Sequence, residues 1–400
     1  MSEYFIADTD NFSSTEQTFM YRAIELAKLG HYTTSPNPRV GCVIVKDGFI
    51  VGEGFHKKAG TNHAEVHALK QAGEQAKNAT VYVTLEPCSH FGRTPPCAEA
   101  LIKAGVDNVI IAMVDPNPQV SGKGIKLLED AGISTKVGLL NAEAQALNIG
   151  FITLMRKHKP YVRLKMATSL DGKTAMANGE SKWITGSKAR QDVQRLRAQS
   201  CAIICSADSV IIDQAKMTVR HNELGDIAPY YQENEIRQPV RIVIDSRNKL
   251  TPELAIFDHS SDIIIIRAEE KIQSREQTES VDESILEKKQ RWPHFVEQVA
   301  LPLSKIKQRQ KIDLNAFITF LADRGFNDVL IEAGARLAGA FVEENLVDEF
   351  ILYQAPKLLG GDAKSMLTMP SLVKLEQAKQ LTINEMDMIG EDLRIIAKFN

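Results

Sequence analysis

The amino-acid sequence predicts two successive α/β domains. Its length of 400 residues exceeds the roughly 100–200 residues that one domain usually needs. Strand-like and helix-like patterns alternate before residue 140 and again beyond residue 160, which is typical of layered α/β domains. Between the two stretches, the basic run from Arg156 to Lys159 precedes Pro160, and such a short charged run is usually a solvated face or a linker. We therefore place the domain boundary near Pro160.

The first domain is predicted to open on a helix. Ser13 and Glu16 have the spacing of a capping box, and apolar residues at helical spacing follow until Gly30, a stop signal. Asp47 and Gly48 favour a hairpin turn between two β-rich runs. The further predicted elements are strands at 40–45, 49–55, 80–85 and 109–114 and helices at 63–76, 96–104 and 124–131, with a partly helical stretch at 139–159.

The second domain repeats the alternation of strands and helices. Its predicted elements are strands at 161–166, 202–204, 240–244, 329–331 and 349–354, with helices at 189–198 and 336–344. Two polar segments, residues 222–238 and 269–311, are expected to be surface insertions or long loops. The strand that ends at Ile331 runs into Gly334 and then an apolar helix, and a helix start of this kind is suited to a phosphate.

Composition and charge exclude several classes of protein. The 48 Lys and Arg residues nearly balance 51 Asp and Glu residues, so the chain lacks the basic field that non-specific nucleic-acid binding needs. No apolar run approaches the roughly 18–20 residues of a membrane span, and the first residues do not have the pattern of a secretory signal. Five cysteines, a small and odd number, argue against a disulfide framework. We expect a cytoplasmic enzyme with a small-molecule substrate.

The densest chemistry is a set of residues suited to catalytic zinc. His63, Cys88 and Cys97 offer one imidazole and two thiolates, and a catalytic zinc site takes three such ligands and keeps a fourth position for water. Pro96 at a helix start places Cys97 near the positive helix end, which favours its thiolate. Glu65, two residues after His63, is suited to carry protons. This order of residues is the pattern of zinc nucleobase deaminases, although here eight residues stand between the two cysteines instead of two.

Two other interpretations compete with catalytic zinc. A closed structural zinc site needs a fourth ligand, which Cys42 or His90 can supply, but Glu65 would then have no role. His67 follows His63 by four residues, yet the metalloprotease pattern needs a glutamate directly after the first histidine. We therefore predict that His67 is a satisfied helix residue. The remaining cysteines are expected in the core or in strands; they are Cys42, Cys201 and Cys205.

Longer runs of residues resemble one enzyme family. In the first half they are PNPRVG from Pro36, the His63 triplet HAE, and PCSHFGRTPPC from Pro87 to Cys97. In the second half they are LKMATSLDGKTAMANGESKWITG from Leu164, MTVR from Met217, RIVIDSR from Arg241, IEAGARLAGAF from Ile331 and LVDEF through APKLLGG to Gly361. On these runs, which span most of the chain in the family's order, the sequence resembles the bifunctional deaminase/reductase of riboflavin biosynthesis.

The resemblance implies a fold and two reactions. Residues 1–155 would form a cytidine-deaminase-like three-layer domain with one zinc, and residues 160–400 a dihydrofolate-reductase-like domain that uses NADPH. The first reaction is hydrolytic deamination of 2,5-diamino-6-ribosylamino-4(3H)-pyrimidinone 5′-phosphate, in which Glu65 relays protons. The second is reduction of the ribosyl group, which gives 5-amino-6-ribitylaminouracil 5′-phosphate. A homo-oligomer, dimer or tetramer, is also implied, with no nucleic-acid or membrane partner.

The resemblance also assigns site residues by position. The deaminase substrate positions fall on Asn37, His56, His90 and Arg93, of which the arginine suits a phosphate. The cofactor positions fall on Ala167, Trp183, Ser209, Asp213, Ser246, Gly334, Ala335, Arg336, Leu337, Ala338, Gly339 and Ala340. The reductase substrate positions fall on Ser181, Arg197, Met217, Arg220 and Glu332, and both arginines suit a phosphate.

The sequence departs from the family in two short segments. Residues 205–209 stand where many members have a glycine-containing turn that ends in threonine, and here Asp208 adds a negative charge near the expected anionic cofactor. Gln214 and Ala215 stand where many members have a polar residue and a proline. Both departures bear on cofactor affinity and leave the deaminase site unchanged.

Four functions follow from these observations. The first is a bifunctional enzyme with both sites active, and the second is a deaminase whose second half serves as a dimerisation scaffold. The third is a deaminase that acts on a base within nucleic acid, against which the balanced charge argues. The fourth is a zinc-stabilised binding protein, for which Glu65 would be dispensable.

Overall fold

The computed structural model describes residues 11–89, 95–118, 120–269, 292–306 and 309–400. The chain divides into two compact units, Met1–His158 and Lys159–Asn400. Within the described ranges, no helix is both long enough and apolar enough to cross a bilayer.

The first unit is built on a five-stranded sheet with the strand order β2-β1-β3-β4-β5. Strand β1 pairs antiparallel with β2 and β3, whereas β3, β4 and β5 are parallel. The strands are β1 (Gly41–Lys46), β2 (Phe49–Phe55), β3 (Thr80–Val83), β4 (Asn108–Ile111) and β5 (Ser134–Val137). The helices are α1 (Ser14–Lys28), α2 (Ala64–Ala72), α3 (Cys97–Ala104), α4 (Lys123–Asp130), α5 (Asn141–Leu147) and α6 (Ile149–Lys157).

Two separate apolar cores make this unit a three-layer domain. One core lies between the sheet and α2, α3 and α4, and it includes Ala68, Leu101 and Leu128. The other lies on the opposite face, where Met20 of α1 and Ile152 of α6 are buried. This layering confirms the predicted cytidine-deaminase-like class.

The start of α1 and the first hairpin follow the predicted local chemistry. The Ser13 hydroxyl accepts the Glu16 N–H at 3.2 Å, and the Glu16 carboxylate accepts the Ser13 N–H at 2.8 Å, so the capping box is complete. Asp47 and Gly48 both have positive φ, 51° and 80°, as the tight turn between β1 and β2 requires.

The second unit contains a nine-stranded sheet with the order β11-β10-β9-β8-β14-β6-β15-β18-β17. The first seven strands in this order, from β11 at one edge to β15, are parallel to one another. Strands β18 and β17 follow β15 and pair antiparallel at the other edge. These strands are β6 (Tyr161–Ser169), β8 (Ala202–Ser206), β9 (Val240–Ile244), β10 (Ile263–Ala268), β11 (Val296–Leu301), β14 (Asp328–Ile331), β15 (Glu349–Ala355), β17 (Leu381–Ile389) and β18 (Asp392–Phe399). Two small two-stranded sheets are formed by β7 (Lys173–Ala175) with β16 (Lys364–Ser365) and by β12 (Leu303–Ile306) with β13 (Arg309–Ile312).

Helices cover both faces of the large sheet. Phe317 of α9 (Leu314–Asp323) and Phe341 of α10 (Ala335–Glu343) are buried in the main core. The opposite face carries α7 (Ser187–Gln199) and α8 (Ala207–Asp213), with Val193 and Val210 buried in two smaller clusters. The mixed, helix-covered sheet confirms the predicted dihydrofolate-reductase-like class.

One prediction about this unit is wrong in part. Residues 269–311 were expected to form a loop, but β11 pairs in parallel with β10 at the edge of the large sheet, and β12 and β13 form a hairpin. The polar character of β11 comes from its edge position, where Glu297 and Gln298 are exposed to solvent. Residues 270–291 of the predicted loop lie outside the described residues.

Candidate active sites

The three predicted metal ligands converge in the first unit. His63 is the N-cap of α2, Cys88 follows β3 in a loop, and Cys97 is the first residue of α3. The His63 Nδ1 atom lies 3.2 Å from Cys97 Sγ and 3.6 Å from Cys88 Sγ, and all three ligand atoms lie within 4.8 Å of one another. One imidazole nitrogen and two sulfurs in such a cluster are a donor set that Zn²⁺ prefers.

The two sulfurs differ in their affinity for a proton. The pKa of Cys88 is lowered to about 4, first because the Cys97 thiol donates to its sulfur and also because His63 lies beside it. The pKa of Cys97 is raised, first by the hydrogen bond to Cys88 and then by burial. Cys97 does begin α3, but without a metal these effects outweigh the influence of the helix end. A divalent cation would stabilise both thiolates.

Glu65 lies in the first turn of α2 and is 3% exposed. Burial raises its pKa to about 7, and the nearby Cys88 sulfur adds to this effect. A carboxyl group with a pKa close to neutrality can both accept and donate a proton, which is what a proton relay requires.

Asn37 and His56 form a hydrogen-bonded pair beside the metal ligands. The Asn37 amide nitrogen lies 3.0 Å from His56 Nε2, and His56 Nδ1 lies 3.1 Å from the Asn62 carbonyl oxygen. An amide nitrogen donates and a carbonyl oxygen accepts, so the His56 proton belongs on Nδ1. Burial lowers the pKa of His56, which favours this neutral form. Its ring meets that of His63 edge-on, with 5.4 Å between the centroids.

The other candidates of this unit take different places. His90 and Arg93 lie outside the described residues. Cys42 is fully buried in β1, as predicted, and it does not belong to the ligand cluster found in the described part of the chain. The His67 Nε2 atom is buried without a hydrogen-bond partner there, so His67 is a helix residue but not a fully satisfied one.

Sequence reasoning missed Glu86, which lies two residues before Cys88 and is 3% exposed. Its carboxylate accepts the backbone N–H groups of Gly122 at 3.0 Å and Gly124 at 2.9 Å, at the start of α4. It also accepts the N–H of Asp115 at 3.1 Å. These bonds hold the segment before Cys88 against α4. An acidic residue inside a buried run beside Pro-Cys was the only sequence signal for this role.

In the second unit, two helix starts meet beside the predicted cofactor positions. Gly334 is the N-cap of α10, and its N–H donates to the Ser209 hydroxyl at 3.2 Å. Ser209 also lies 3.0 Å, hydroxyl to hydroxyl, from Ser206, which caps α8. Among the described residues, a Cβ on Gly334 would meet only Ser209 Oγ, at 3.6 Å, so the glycine leaves an open cradle at the start of α10. This arrangement fits a dinucleotide phosphate.

The predicted substrate residues Arg197 and Glu332 form a buried ion pair. The Arg197 guanidinium donates to both carboxylate oxygens of Glu332, at 2.6 and 3.0 Å, and to the Thr218 carbonyl oxygen at 3.0 Å. The two side chains are 12% and 11% exposed. Burial alone would raise the pKa of Glu332, but Arg197 and Lys165 outweigh it and lower the pKa. Arg197 is therefore a buried cation whose charge is already paired with Glu332.

Lys165 of β6 is a second residue that sequence reasoning missed. Burial lowers its pKa, and it lies near both Glu332 and Arg197. Its ammonium group is 6.0 Å from the centroid of the Tyr353 ring. The alternation of β6 places Leu164 and Met166 in the main core and Lys165 on the opposite face, which was the signal available in the sequence.

Arg220 and Met217 lie close to this ion pair. Arg220 donates to both carboxylate oxygens of Glu223 at 2.6 Å, and its charge contributes to the lowered pKa of Glu332. Met217 is 5% exposed and has a φ of 55°, which bends the segment that carries Thr218. Arg197 thus acts on Glu332 through direct hydrogen bonds, and Arg220 acts on it through its charge.

The remaining predicted positions surround the carboxyl ends of the parallel strands. Trp183 is 64% exposed, and Arg190 lies over its ring at 4.6 Å. Ala338 is fully buried, and the backbone of Thr368 lies against Gly339, so these two contribute packing and backbone. The others occupy β6, the segment before α7, the end of α8, the loop after β9, and α10; they are Ala167, Ser181, Asp213, Ser246, Ala335, Arg336, Leu337 and Ala340.

Comparison with protein families gives a match in each unit. Residues 13–113 match the cytidine and deoxycytidylate deaminase zinc-binding region. Residues 160–395 match the RibD C-terminal domain.

Relatives and solved structures match along nearly the whole chain. The riboflavin biosynthesis proteins RibD of Haemophilus influenzae and Escherichia coli are each 48% identical, over 96% and 94% of this chain and 97% and 98% of their own lengths. The structure of Acinetobacter baumannii RibD, form 1, is 43% identical, covers 96% of this chain and 99% of its own, and has a TM-score of 0.83. A deaminase/reductase structure from Thermotoga maritima, described as diaminohydroxyphosphoribosylaminopyrimidine deaminase and 5-amino-6-(5-phosphoribosylamino)uracil reductase, is 31% identical, with the same coverage and a TM-score of 0.79.

Proposed function

Because this chain belongs to the RibD family of riboflavin biosynthesis and is a bifunctional deaminase and reductase, we propose that each of its two sites performs one of two successive reactions on a phosphorylated pyrimidine. The first unit removes the ring 2-amino group of 2,5-diamino-6-ribosylamino-4(3H)-pyrimidinone 5′-phosphate. The second unit then reduces the ribosyl group to ribityl. The convergence of His63, Cys88 and Cys97 around one point carries this assignment for the first site.

The deaminase site divides its work between a metal and buried polar groups. His63, Cys88 and Cys97 would hold Zn²⁺, which lowers the pKa of a bound water toward neutrality. Glu65 moves protons to the ring and to the departing nitrogen, because its pKa of about 7 lets it exist in both forms. Asn37, held by His56, offers its amide to the polar edge of the pyrimidine.

Metal content and ammonia release test the deaminase assignment together. We expect one zinc per chain in both the wild type and Glu65→Ala, with ammonia release only in the wild type. Glu74→Ala, which changes an exposed carboxylate, is the matched control. If Glu65→Ala kept both its zinc and its activity, the site would be a structural one.

The reductase site must deliver a proton as well as a hydride. NADPH supplies the hydride, and the cradle between Ser209 and Gly334 fits its phosphates. When the bond between the ribose C1′ and its ring oxygen breaks, that oxygen needs a proton. Lys165 can donate this proton, because burial lowers the pKa of its ammonium group. The neighbouring ion pair of Glu332 and Arg197 keeps both of its own groups charged. Arg220 lies near enough to the same pair to serve the substrate phosphate.

Single-turnover oxidation of NADPH by the deaminated substrate tests the second reaction. We expect oxidation in the wild type and a loss of at least about tenfold in Lys165→Met, with NADPH binding retained. No oxidation at saturating cofactor would favour the alternative in which the second unit is only a scaffold. The family match over residues 160–395 argues against that alternative.

The edge of the large sheet supports a homo-oligomer, which we propose as a dimer or tetramer. In the register of β17 against β18, four exposed apolar residues lie opposite alternate residues of β18 and therefore share one face; they are Leu381, Ile383, Met386 and Met388. An irregularity between Ile383 and Glu385 keeps the two halves of this apolar row in phase. Light scattering of Met386→Lys should show a smaller species than the wild type. An unchanged mass would exclude this face.

We propose a cytoplasmic location for the protein. All five cysteines lie in described parts of the chain and none is in a disulfide, and the proposed zinc-ligating pair Cys88 and Cys97 must stay reduced to bind metal. Detection of the protein in a cytosolic fraction after cell disruption tests this location, and recovery from a secreted fraction would contradict it.

A further inference from the structure

Charged side chains gather at the carboxyl ends of three neighbouring parallel strands. The strands β9, β8 and β14 are adjacent in the large sheet. Arg247 and Lys249 follow β9, Asp208 follows β8, and Arg336 follows β14. Ligands of open α/β sheets bind outside this edge, so the position of the group is a position for a ligand.

Asp208 is the centre of the group. Its carboxylate accepts Arg247 Nη2 at 2.7 Å on one oxygen and Lys249 Nζ at 2.6 Å on the other. Arg336 adds a third positive charge that acts on the same carboxylate. The Asp208, Arg247 and Lys249 side chains are 39%, 56% and 41% exposed, so a ligand can reach them. Three cations around one carboxylate leave an excess of two positive charges.

The group lies directly beside the cradle assigned to the cofactor. Ser209, the next residue after Asp208, accepts the N–H of Gly334, and Arg336 belongs to the first turn of the same helix α10. The proposed proton donor Lys165 lies on the other side, in β6, and its neighbour Glu332 follows β14. A dinucleotide with its reacting end near β6 and its pyrophosphate at Gly334 would extend its adenosine toward β8 and β9.

We propose that Arg247, Lys249 and Arg336 bind the 2′-phosphate of the adenosine ribose of NADPH. In this proposal the Asp208 carboxylate is the counter-ion of these cations within the protein. The proposal rests on the reductase function above. A phosphate monoester carries about −1.5 to −2 charges near neutral pH and has three acceptor oxygens, so it competes for these cations more strongly than a carboxylate. Asp208 holds Arg247 and Lys249 together and repels the incoming phosphate, so it limits affinity for NADPH alone.

A surface ion pair without a binding role is the simplest competing explanation. Such pairs contribute roughly 0–1 kcal/mol to stability, and their removal would leave dinucleotide binding unchanged. The comparison of NADPH with NADH separates the two explanations, because these dinucleotides differ only in the 2′-phosphate.

The test is equilibrium binding of NADPH and NADH to the full-length, zinc-loaded protein by titration calorimetry without pyrimidine substrate. We expect the wild type to bind NADPH more tightly than NADH. Arg247→Gln and Lys249→Gln should each weaken NADPH binding by about tenfold or more and leave NADH binding within about twofold, as for a lost charge-assisted hydrogen bond. Asp208→Asn should tighten NADPH binding several-fold and leave NADH unchanged. Lys398→Gln, an exposed cation on β18, should change neither.

Three results would overturn the subsite. They are equal wild-type affinity for the two dinucleotides, variants at Arg247 and Lys249 that keep the wild-type preference, and variants that weaken both dinucleotides equally. In each of these cases the reductase assignment would stand, since a dinucleotide still binds. Failure of the wild type to bind either dinucleotide would overturn the reductase assignment along with the subsite. An unchanged urea transition of tryptophan fluorescence shows that the second unit of each variant is folded, because Trp183 and Trp292 both belong to that unit.

Discussion

Glu86 is a buried carboxylate that is linked through the backbone to the proposed zinc ligand Cys88. It accepts N–H groups at the start of α4 and lies two residues before Cys88, so it fixes the path of the ligand loop without touching a ligand atom. Helix starts favour a negative charge because their N–H groups carry partial positive charge. The same residue thus contributes to stability and to the positioning of Cys88.

We expect Glu86→Gln to destabilise the first unit by about 1–3 kcal/mol, because a neutral amide replaces a carboxylate that accepts several buried N–H groups. Zinc should also leave more rapidly when a chelator is added. Urea unfolding and chelator-induced zinc release measure the two effects. Glu74→Gln, an exposed replacement of the same kind, should behave as the wild type. Zinc release as slow as in the wild type would show that Glu86 does not position the loop.

The Arg197–Glu332 pair gives the second unit a defined pH dependence. The folded-state pKa of Glu332 is lower than its ordinary value of 4.5, so its contribution to stability is complete above about pH 4.5 and is lost as the pH falls through the lowered pKa. Glu332→Gln should cost roughly 3 kcal/mol at pH 7, where it leaves Arg197 buried and unpaired, and clearly less at pH 3. Urea unfolding at the two pH values measures this difference. An equal cost at both would contradict it, and the exposed Glu376→Gln is the control.

At the scale of elements, Gly339 shows why α10 lies where it does. A side chain at this position would place its Cβ 2.1 Å from the Thr368 carbonyl oxygen, and the Thr368 N–H donates to the Ala335 carbonyl oxygen at 3.0 Å. The absence of a side chain therefore lets the 368 segment pack directly against the helix that carries the cofactor cradle.

We expect Gly339→Ala to displace α10 and to weaken NADPH binding by about tenfold, with a loss of stability of about 1–3 kcal/mol. Gly361→Ala, where no atom of the described part of the chain lies within 4 Å of the added carbon, should leave both unchanged. Titration calorimetry and urea unfolding provide the two measurements. If Gly339→Ala bound NADPH normally, the close packing would have no part in shaping the cradle.

The elements that were predicted have strong local signals, whereas two of those that were missed, β5 and β17, do not. The capping box of α1 and the Asp47–Gly48 turn determine structure from neighbouring residues alone. Strand β5 has the polar sequence STKV at a sheet edge, and β17 is almost wholly exposed, so neither shows the burial pattern of a strand. These elements depend on partners far along the chain.

The site residues divide in the same way. His63, Glu65, Cys88 and Cys97 have a spacing that the chemistry of the site requires, and the structure brings the three ligands together. Lys165 and Glu86 have no motif, because their environment is created by β15, α7 and α4. The cations around Asp208 also come from two other strand ends, those of β9 and β14, so the sequence showed a negative charge but not the cations beside it.

At the scale of the whole molecule, the two units should respond to different ligands. Both tryptophans, Trp183 and Trp292, belong to the second unit, so intrinsic tryptophan fluorescence reports on that unit alone. NADPH at about 100 times its dissociation constant should raise the stability of the second unit by about 2.7 kcal/mol. A zinc chelator should destabilise the first unit, as followed by calorimetry and ammonia release, and leave the tryptophan transition in place. A tryptophan transition that moved with zinc removal would show that the units unfold as one.

The central position of β6 has a consequence for how the protein is made. Strand β6 is the first strand of its sheet to leave the ribosome, yet its neighbours β14 and β15 are synthesised about 170–190 residues later. At roughly 5–20 residues per second, its apolar face waits on the order of 10–40 s for its partners. Protease digestion of ribosome-arrested chains should find the second unit sensitive until β15 has emerged, whereas an early resistance would contradict this order. The first unit is synthesised before β6, so we expect it to become resistant earlier and chaperones to bind mainly the second half of the nascent chain.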